Sequence, residues 1–247
     1  WPNPFSITRH RWEPVSPYTP VSILFILSQL GLSTFLSVVL IVLPLVIFSR
    51  KGIQRTGFKR FLVYFAGLGL GFIFIEVAAM QKLTLFLGHP LYSITVTLFS
   101  VLVFTSLGSL LSARWFHPPD RRVWLVPSGL AILLISFIFI SPQLVASCIR
   151  FPLPVRIALA VCVLAPISLL LGVPFAYGIR LLNRWNPSII PWAWAVNGCC
   201  TVIGAILTAI LSMNFGFNAV LISAIVIYLV AFAALGVNDS FRAATQA

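Results

Sequence analysis

Long, uninterrupted apolar runs constrain the fold of this 247-residue chain more than any other feature. A helix needs about 20 apolar residues to cross the hydrocarbon core of a bilayer. Seven runs of about this length or longer lie near 21–49, 60–87, 91–113, 122–141, 154–181, 192–213 and 217–237. Their apolar residues are continuous rather than alternating, which favours helices over the strands of a membrane barrel. The pattern predicts an all-α, polytopic membrane bundle of about seven transmembrane helices.

Composition also indicates a chain surrounded by lipid. Hydrophobic residues make up 60% of the sequence and charged residues 8%, with a mean hydropathy of +1.07. Soluble domains average about 45–50% apolar and about 25% charged residues. Residues 1–20 differ from the rest, since they are rich in proline and aromatic side chains. We therefore expect an interfacial arm or linker over 1–20 and a helical transmembrane domain over 21–247, as part of a longer polypeptide.

The basic residues predict an orientation in the membrane. The 16 Lys and Arg residues outnumber 4 Asp and Glu, and they lie mostly between the apolar runs, which favours anionic lipid headgroups over nucleic acid as their partners. The side of the N-terminal arm holds Arg9, Arg11, Lys82, Arg150 and Arg156. The opposite side holds Arg50, Lys51, Arg55, Lys59, Arg60, Arg114, Arg121, Arg122, Arg180, Arg184 and Arg242. The positive-inside rule predicts that this second side is cytoplasmic, with the N-terminus outside and the C-terminus inside.

Glu76 is the most unusual residue within the apolar runs. A charged, unpaired carboxylate in hydrocarbon costs several kcal/mol, so Glu76 must be neutral, paired or open to a wet cavity. Two interpretations remain open: a site for a proton, a cation or a polar substrate, or a structural hydrogen bond to another helix. Asn197 and Gln29 are candidate partners in the second case. Gln81 and Asn197 are the other polar candidates within the membrane.

Glycines in the second run predict close helix packing. The string from Gly67 through Gly69 to Gly71 has no strand before it and no acidic residue about 20 positions later, which argues against nucleotide binding. The spacing of Gly67 and Gly71 is instead typical of a packing face of small residues, and Gly204 with Thr208 repeats it. We expect Gly67, Gly71 and Gly204 to face neighbouring helices.

Turn residues separate the runs. Gly88, His89 and Pro90 predict a tight turn between the second and third helices, and Ser141-Pro142 predicts the end of the fourth. Gly216, within 214–218, predicts a break between the last two. Three further prolines, Pro44, Pro166 and Pro174, lie inside predicted helices and are expected to kink them.

The sequence predicts no catalytic residue, no metal and no cofactor. The three histidines, His10, His89 and His117, lie outside the predicted helices, so none is placed to bind a haem or a pigment within a bundle. No serine–histidine pair, paired carboxylates or metal-ligand cluster is evident.

The stretch 71–112 resembles a known family. Glu76 and Gln81 within a helix, a turn from Phe86 to Pro90, and a helix ending at Gly108 to Ser112 are similar to the C-terminal membrane region of bacterial, membrane-bound proteins that are spermidine synthase-like or methyltransferase-like. The segment 171–204 is also similar to that region. In this family a soluble aminopropyltransferase-like domain precedes the membrane part, and that domain is absent from this sequence. The resemblance implies a membrane half in the bacterial inner membrane, without synthase activity of its own.

Two functional hypotheses follow. The first is a non-catalytic membrane module, acting as an anchor or as an accessory, structural subunit of a multi-subunit assembly with other membrane proteins as partners. The alternative is a transporter or channel for a small polar or cationic solute that uses Glu76. A membrane enzyme acting on lipid is a weaker third option, since Glu76 is its one plausible base. Transporters often contain internal repeats, and no convincing repeat is evident here.

Overall fold

The computed structural model describes residues 21–48, 57–118 and 120–236, and every regular element in those ranges is helical. The predicted arm over 1–20 lies outside the described residues. The helices are α1 (Val21–Ser37), which continues through a π-helical segment (Val38–Val42) into α2 (Leu43–Phe48), then α3 (Phe58–Leu87), α4 (Pro90–Trp115), α5 (Leu125–Cys148), α6 (Leu153–Trp185) and α7 (Ile190–Leu235). Short 3-10 helices at Arg121–Trp124 and Pro187–Ile189 precede α5 and α7. In the described part, six helical segments are long and apolar enough to cross a membrane. The predicted all-α, multi-pass membrane bundle is confirmed.

The last of these segments is about twice the length of one span because α7 contains two arms. Its 46 residues include Gly216, whose φ of 78° and ψ of 166° are not helical. Only glycine adopts this backbone region readily. We call 190–215 the first arm of α7 and 217–235 its second arm. The break predicted at Gly216 is therefore present. The first arm extends to 215, two residues beyond the predicted helix end at 213.

The two arms run in opposite directions along α3. The glycines of this interface define its direction: Gly69 lies against Asn197 and Gly204 against Ile73 on the first arm, while Gly71 lies against Tyr228 and Gly67 against Ala231 on the second. Residue numbers on the first arm rise together with those on α3, whereas numbers on the second arm rise as those on α3 fall. The arms are therefore antiparallel, and α3 is held between them. Counting each arm separately gives seven segments of membrane length in the described chain.

The glycine string of α3 fits between the two arms. A Cβ atom added at Gly67 or at Gly71 would lie 2.8 Å or 2.6 Å from a side chain of the second arm. A Cβ added at Gly69 would lie 2.4 Å from the carbonyl oxygen of Asn197 on the first arm. Residues two apart in a helix point to different sides, so the alternation leaves space on both faces of α3. Gly204 also packs closely, since its added Cβ would lie 2.6 Å from the Ile73 side chain.

α4 and α6 form a second close pair, and two glycines allow it. A Cβ added at Gly108 would lie 1.9 Å from the carbonyl oxygen of Leu169, and one added at Gly172 would lie 2.0 Å from the carbonyl oxygen of Thr105. Both obstacles are backbone atoms, which cannot rotate away as a side chain can. The two helices therefore touch backbone to backbone at this crossing.

The helix end predicted at Ser141-Pro142 is wrong. α5 continues through Pro142 to Cys148. A proline removes one backbone hydrogen bond, but membrane helices tolerate this where neighbouring groups satisfy the freed carbonyl. α6 likewise continues across both Pro166 and Pro174. At Pro44 the helix is disturbed, since the π-helical segment ends two residues before it.

Candidate intramembrane polar site

Glu76 lies deep within α3, on the side that faces the first arm of α7. It follows Gly69 by seven residues, or about two helical turns, so both residues share one face of the helix. At about 1.5 Å per residue, Glu76 is about 27 Å from the start of α3 and about 16 Å from its end. A hydrocarbon core about 30 Å thick therefore includes it.

The side of α3 that carries Glu76 is covered by neighbouring helices at both ends but only partly covered around Glu76. Phe65 and Leu83 lie on the same face as Glu76, before and after it, and are 0% and 1% exposed. Three residues spaced about one turn apart on this side of α3 are each only half-buried: Phe72, Glu76 and Met80. We call these three residues the Glu76 groove. A face that is sealed at both ends and open in the middle makes the carboxyl group accessible from outside the chain.

No hydrogen bond or ion pair joins the Glu76 carboxyl group to any residue of the described ranges. Neither predicted partner forms a hydrogen bond with Glu76. Asn197 donates from Nδ2 to the carbonyl oxygen of Phe65 at 3.1 Å, and Gln29 lies exposed on α1. The depth of Asn197 in its apolar run does not set its height relative to Glu76. The structure places it near the other end of α3, because the first arm runs parallel to α3 and Asn197 lies at its start.

Asn197 instead joins a small polar contact between α3 and the first arm. The Thr201 hydroxyl donates to the carbonyl oxygen of Asn197 at 2.9 Å and lies 3.5 Å from the carbonyl oxygen of Gly69. The bond from Asn197 to Phe65 and the contact of Thr201 with Gly69 hold the first arm in register with α3, where the absence of a side chain at Gly69 permits close approach.

We expect Asn197→Ala to weaken the bundle by about 0.5–1.5 kcal/mol, because the carbonyl oxygen of Phe65 loses its interhelical donor. The free energy of unfolding is measured by titrating the purified protein with SDS in mixed micelles. The matched control is Asn214→Ala, since Asn214 on the same arm donates to Ile210 of its own helix at 2.7 Å. Equal losses for the two variants would show that the contact between helices adds nothing.

The remaining predicted polar and turn residues lie at the far end of α3. Gln81 is exposed and lines a cleft of about 500 Å³, together with Lys82, Thr84, Leu85 and residues 215–218. Lys82, counted in the sequence among the loop charges, lies within α3 and donates from Nζ to the Ser141 hydroxyl at 3.1 Å. It is thus held against α5 rather than free in a loop.

The predicted turn between the second and third membrane helices is present. Gly88 ends α3 with a φ of 80°, in the left-handed region that favours glycine. The His89 side chain caps α4 by accepting a hydrogen bond from the backbone N–H of Leu91 at 3.2 Å. Pro90 is the first residue of α4, where its missing N–H costs nothing. All three residues therefore have a structural role in this turn.

The chemistry available at the Glu76 groove is that of a single carboxyl group. Across the described ranges, no three His, Cys, Asp or Glu side chains come together as a metal ion would need. Glu76 and Asp120 are the acidic residues of the described chain, and Asp120 lies in the segment before α5. The groove can therefore donate or accept a hydrogen bond, exchange a proton, or pair with one cationic group.

Comparison with protein-family models, with curated proteins and with solved structures gives no match for this chain. The resemblance to spermidine synthase-like membrane regions therefore stays a prediction.

Sequence reasoning missed one polar cluster, which lies at the opposite end of the bundle. Arg180 and Arg184 on α6 reach across to the end of α4 and the segment after it. In the sequence these residues count only as loop charges that set the orientation. Their spacing of four residues is the one signal that places them on the same face of a helix.

Proposed function

We propose that the chain is a non-catalytic integral membrane module, an anchor or accessory subunit of a larger assembly in a bacterial cytoplasmic membrane. The observation that carries this proposal is Glu76. Its carboxyl group is half-buried within a membrane span and has no partner among the described residues.

Three other polar side chains on α3 or on the first arm of α7 have partners inside the chain. Asn197 and Thr201 bond to backbone carbonyls, and Lys82 bonds to Ser141. Glu76 has no such partner among the described residues, and an unpaired carboxylate at this depth costs several kcal/mol. A hydroxyl, amide or basic side chain from the transmembrane helix of a partner subunit would satisfy it. The groove leaves the carboxyl group open to such a helix.

The test is recovery of partner subunits with a tagged chain solubilised in mild detergent from its native membrane. We expect Glu76→Ala to reduce the amount of each stable partner at least tenfold, which corresponds to about 1.4 kcal/mol of binding free energy. Glu76→Gln should retain more partner than Glu76→Ala, because the amide still forms hydrogen bonds.

The matched control is Gln81→Ala, which removes an exposed polar side chain from the same helix. It should leave the recovery of partners unchanged. If Glu76→Ala and the unmodified chain recover the same subunits in the same amounts, Glu76 is not a contact to a partner. If neither recovers any stable subunit, the accessory role fails.

The same groove supports one alternative, transport of a small polar or cationic solute that pairs with Glu76. Solute flux into liposomes that contain the purified chain separates the two functions. Loss of flux in Glu76→Gln, with normal assembly, would favour transport. If the unmodified chain shows no flux and Glu76→Gln no longer assembles, the accessory role is favoured.

A further inference from the structure

We infer that Arg180 and Arg184, at the end of α6, form a binding site for the phosphate group of an anionic phospholipid. This inference is independent of Glu76, because the two arginines lie at the other end of α3, on the face of the bundle where α3 begins and α4 ends.

Both guanidinium groups are held in place by hydrogen bonds to neighbouring segments of the same chain. Arg180 donates from Nη2 to the buried Ser112 hydroxyl of α4 at 3.0 Å. Arg184 donates from Nη1 to the carbonyl oxygen of Pro118, just beyond α4. Because residues four apart lie on the same helix face, the two cations project from α6 together. Fixed, adjacent guanidinium groups are already arranged to receive one anion.

The positive charge of this pair is not neutralised within the described chain. No carboxylate there forms an ion pair with Arg180 or Arg184. Asp120, the acidic residue that the structure describes on this face, instead accepts a hydrogen bond from the backbone N–H of Arg122 at 2.8 Å and so caps the helix that follows. Like charges four residues apart repel each other, so a bound anion would relieve an unfavourable interaction.

The arginines also have donors to spare. A guanidinium group carries five N–H donors. One side-chain hydrogen bond is present for each arginine, and Nε of Arg180 is buried without a partner in the described chain. Paired, planar guanidinium groups match the oxygens of a phosphate better than a single ammonium group does. The chemistry of the pair therefore favours a phosphate.

The position of the pair favours a lipid as the source of that phosphate. Trp115, at the end of α4 and three residues from Ser112, is 53% exposed, as expected for a tryptophan at the level of the headgroups. Farther into the membrane on the same helix, Leu110 and Leu107 are 70% and 43% exposed. These two leucines lie on the side of α4 opposite Ser112, so they show that lipid surrounds α4 at this depth, next to the level of the arginines.

The test is native mass spectrometry of the purified protein, titrated with phosphatidylglycerol or with zwitterionic phosphatidylcholine. We expect the unmodified protein to retain phosphatidylglycerol at one site and to bind phosphatidylcholine at least tenfold more weakly. The double variant Arg180→Gln/Arg184→Gln should weaken phosphatidylglycerol binding at least tenfold. The control Arg114→Gln/Arg122→Gln removes two exposed charges from the same face and should change it less than twofold.

Should the double variant fail to give monodisperse protein, Arg184→Gln alone decides, since this side chain is exposed. It should weaken phosphatidylglycerol binding at least threefold. The proposal is overturned if the double variant, or Arg184→Gln in its place, binds phosphatidylglycerol as the unmodified protein does. It is also overturned if both lipids bind equally well, or if the control variant loses as much binding. Displacement of phosphatidylglycerol by millimolar inorganic phosphate would also overturn it, because the lipid would then contribute nothing beyond its phosphate.

Discussion

Gly108→Ala is expected to destabilise the bundle by about 3 kcal/mol, at the upper end of what overpacking costs. The new methyl group would lie 1.9 Å from the carbonyl oxygen of Leu169, so α4 and α6 must separate to admit it. Their contact along the rest of the crossing would loosen as well. The change is read as a lower SDS midpoint for unfolding in mixed micelles, followed by tryptophan fluorescence.

Two glycines provide the control for Gly108. A Cβ added at Gly31 or Gly198 meets nothing within 4 Å. Alanine at either position should leave stability unchanged or raise it by about 0.5–1 kcal/mol, because alanine favours the helix. An SDS midpoint for Gly108→Ala equal to that of Gly198→Ala would mean that α4 and α6 do not touch through their backbones.

Gly172 allows the same crossing to be tested from the other helix. Gly172→Ala should cost about as much as Gly108→Ala, since both added atoms meet a backbone oxygen. Combining the two should cost less than their sum, because one separation of the helices accommodates both methyl groups.

Gly216→Ala is expected to cost about 1–3 kcal/mol for a different reason, backbone strain without a clash. The space around Gly216 is open, with nothing within 4 Å of an added Cβ. Its φ of 78° and ψ of 166° nevertheless exclude an ordinary L-residue. The loss should be similar for alanine and serine, since the size of the side chain is irrelevant there. The SDS midpoint again gives the measurement.

The outcome at Gly216 also decides the shape of α7. In a straight, uninterrupted helix the same alanine would stabilise the protein, because glycine is the poorer helix former. A rise in stability would therefore contradict the two antiparallel arms. The control is Gly198→Ala on the first arm, where the backbone is helical and a small rise is expected.

The membrane helices could be predicted from the sequence because hydropathy alone identifies a segment that must avoid water. Helix ends could not be predicted equally well. Pro142 and Gly216 are both residues that interrupt helices, yet only Gly216 turns the chain. Proline lacks a backbone N–H and glycine permits a non-helical backbone, but whether either one ends a helix depends on the packing of neighbouring helices, which a local sequence does not contain.

The candidate site was predicted in part. The depth of Glu76 follows from its position in an apolar run, and so does the energetic cost of leaving it charged. Its lack of a partner does not, because Asn197 is placed against Phe65 only by the parallel packing of α3 and the first arm. The close packing at Gly108 and Gly172 could not be predicted, since glycine is common in membrane helices and only the backbone atoms beside these two exclude a larger residue.

The packing of α3 between the two arms of α7 has a consequence for biosynthesis. Three helices, α4 to α6, lie between α3 and α7 in the chain, so α3 enters the membrane long before either arm exists. Until α7 is inserted, the bare backbone at Gly67, Gly69 and Gly71 faces lipid or other helices. The centre of the bundle is therefore complete only after the hairpin formed by the two arms of α7 has followed α4, α5 and α6 into the membrane.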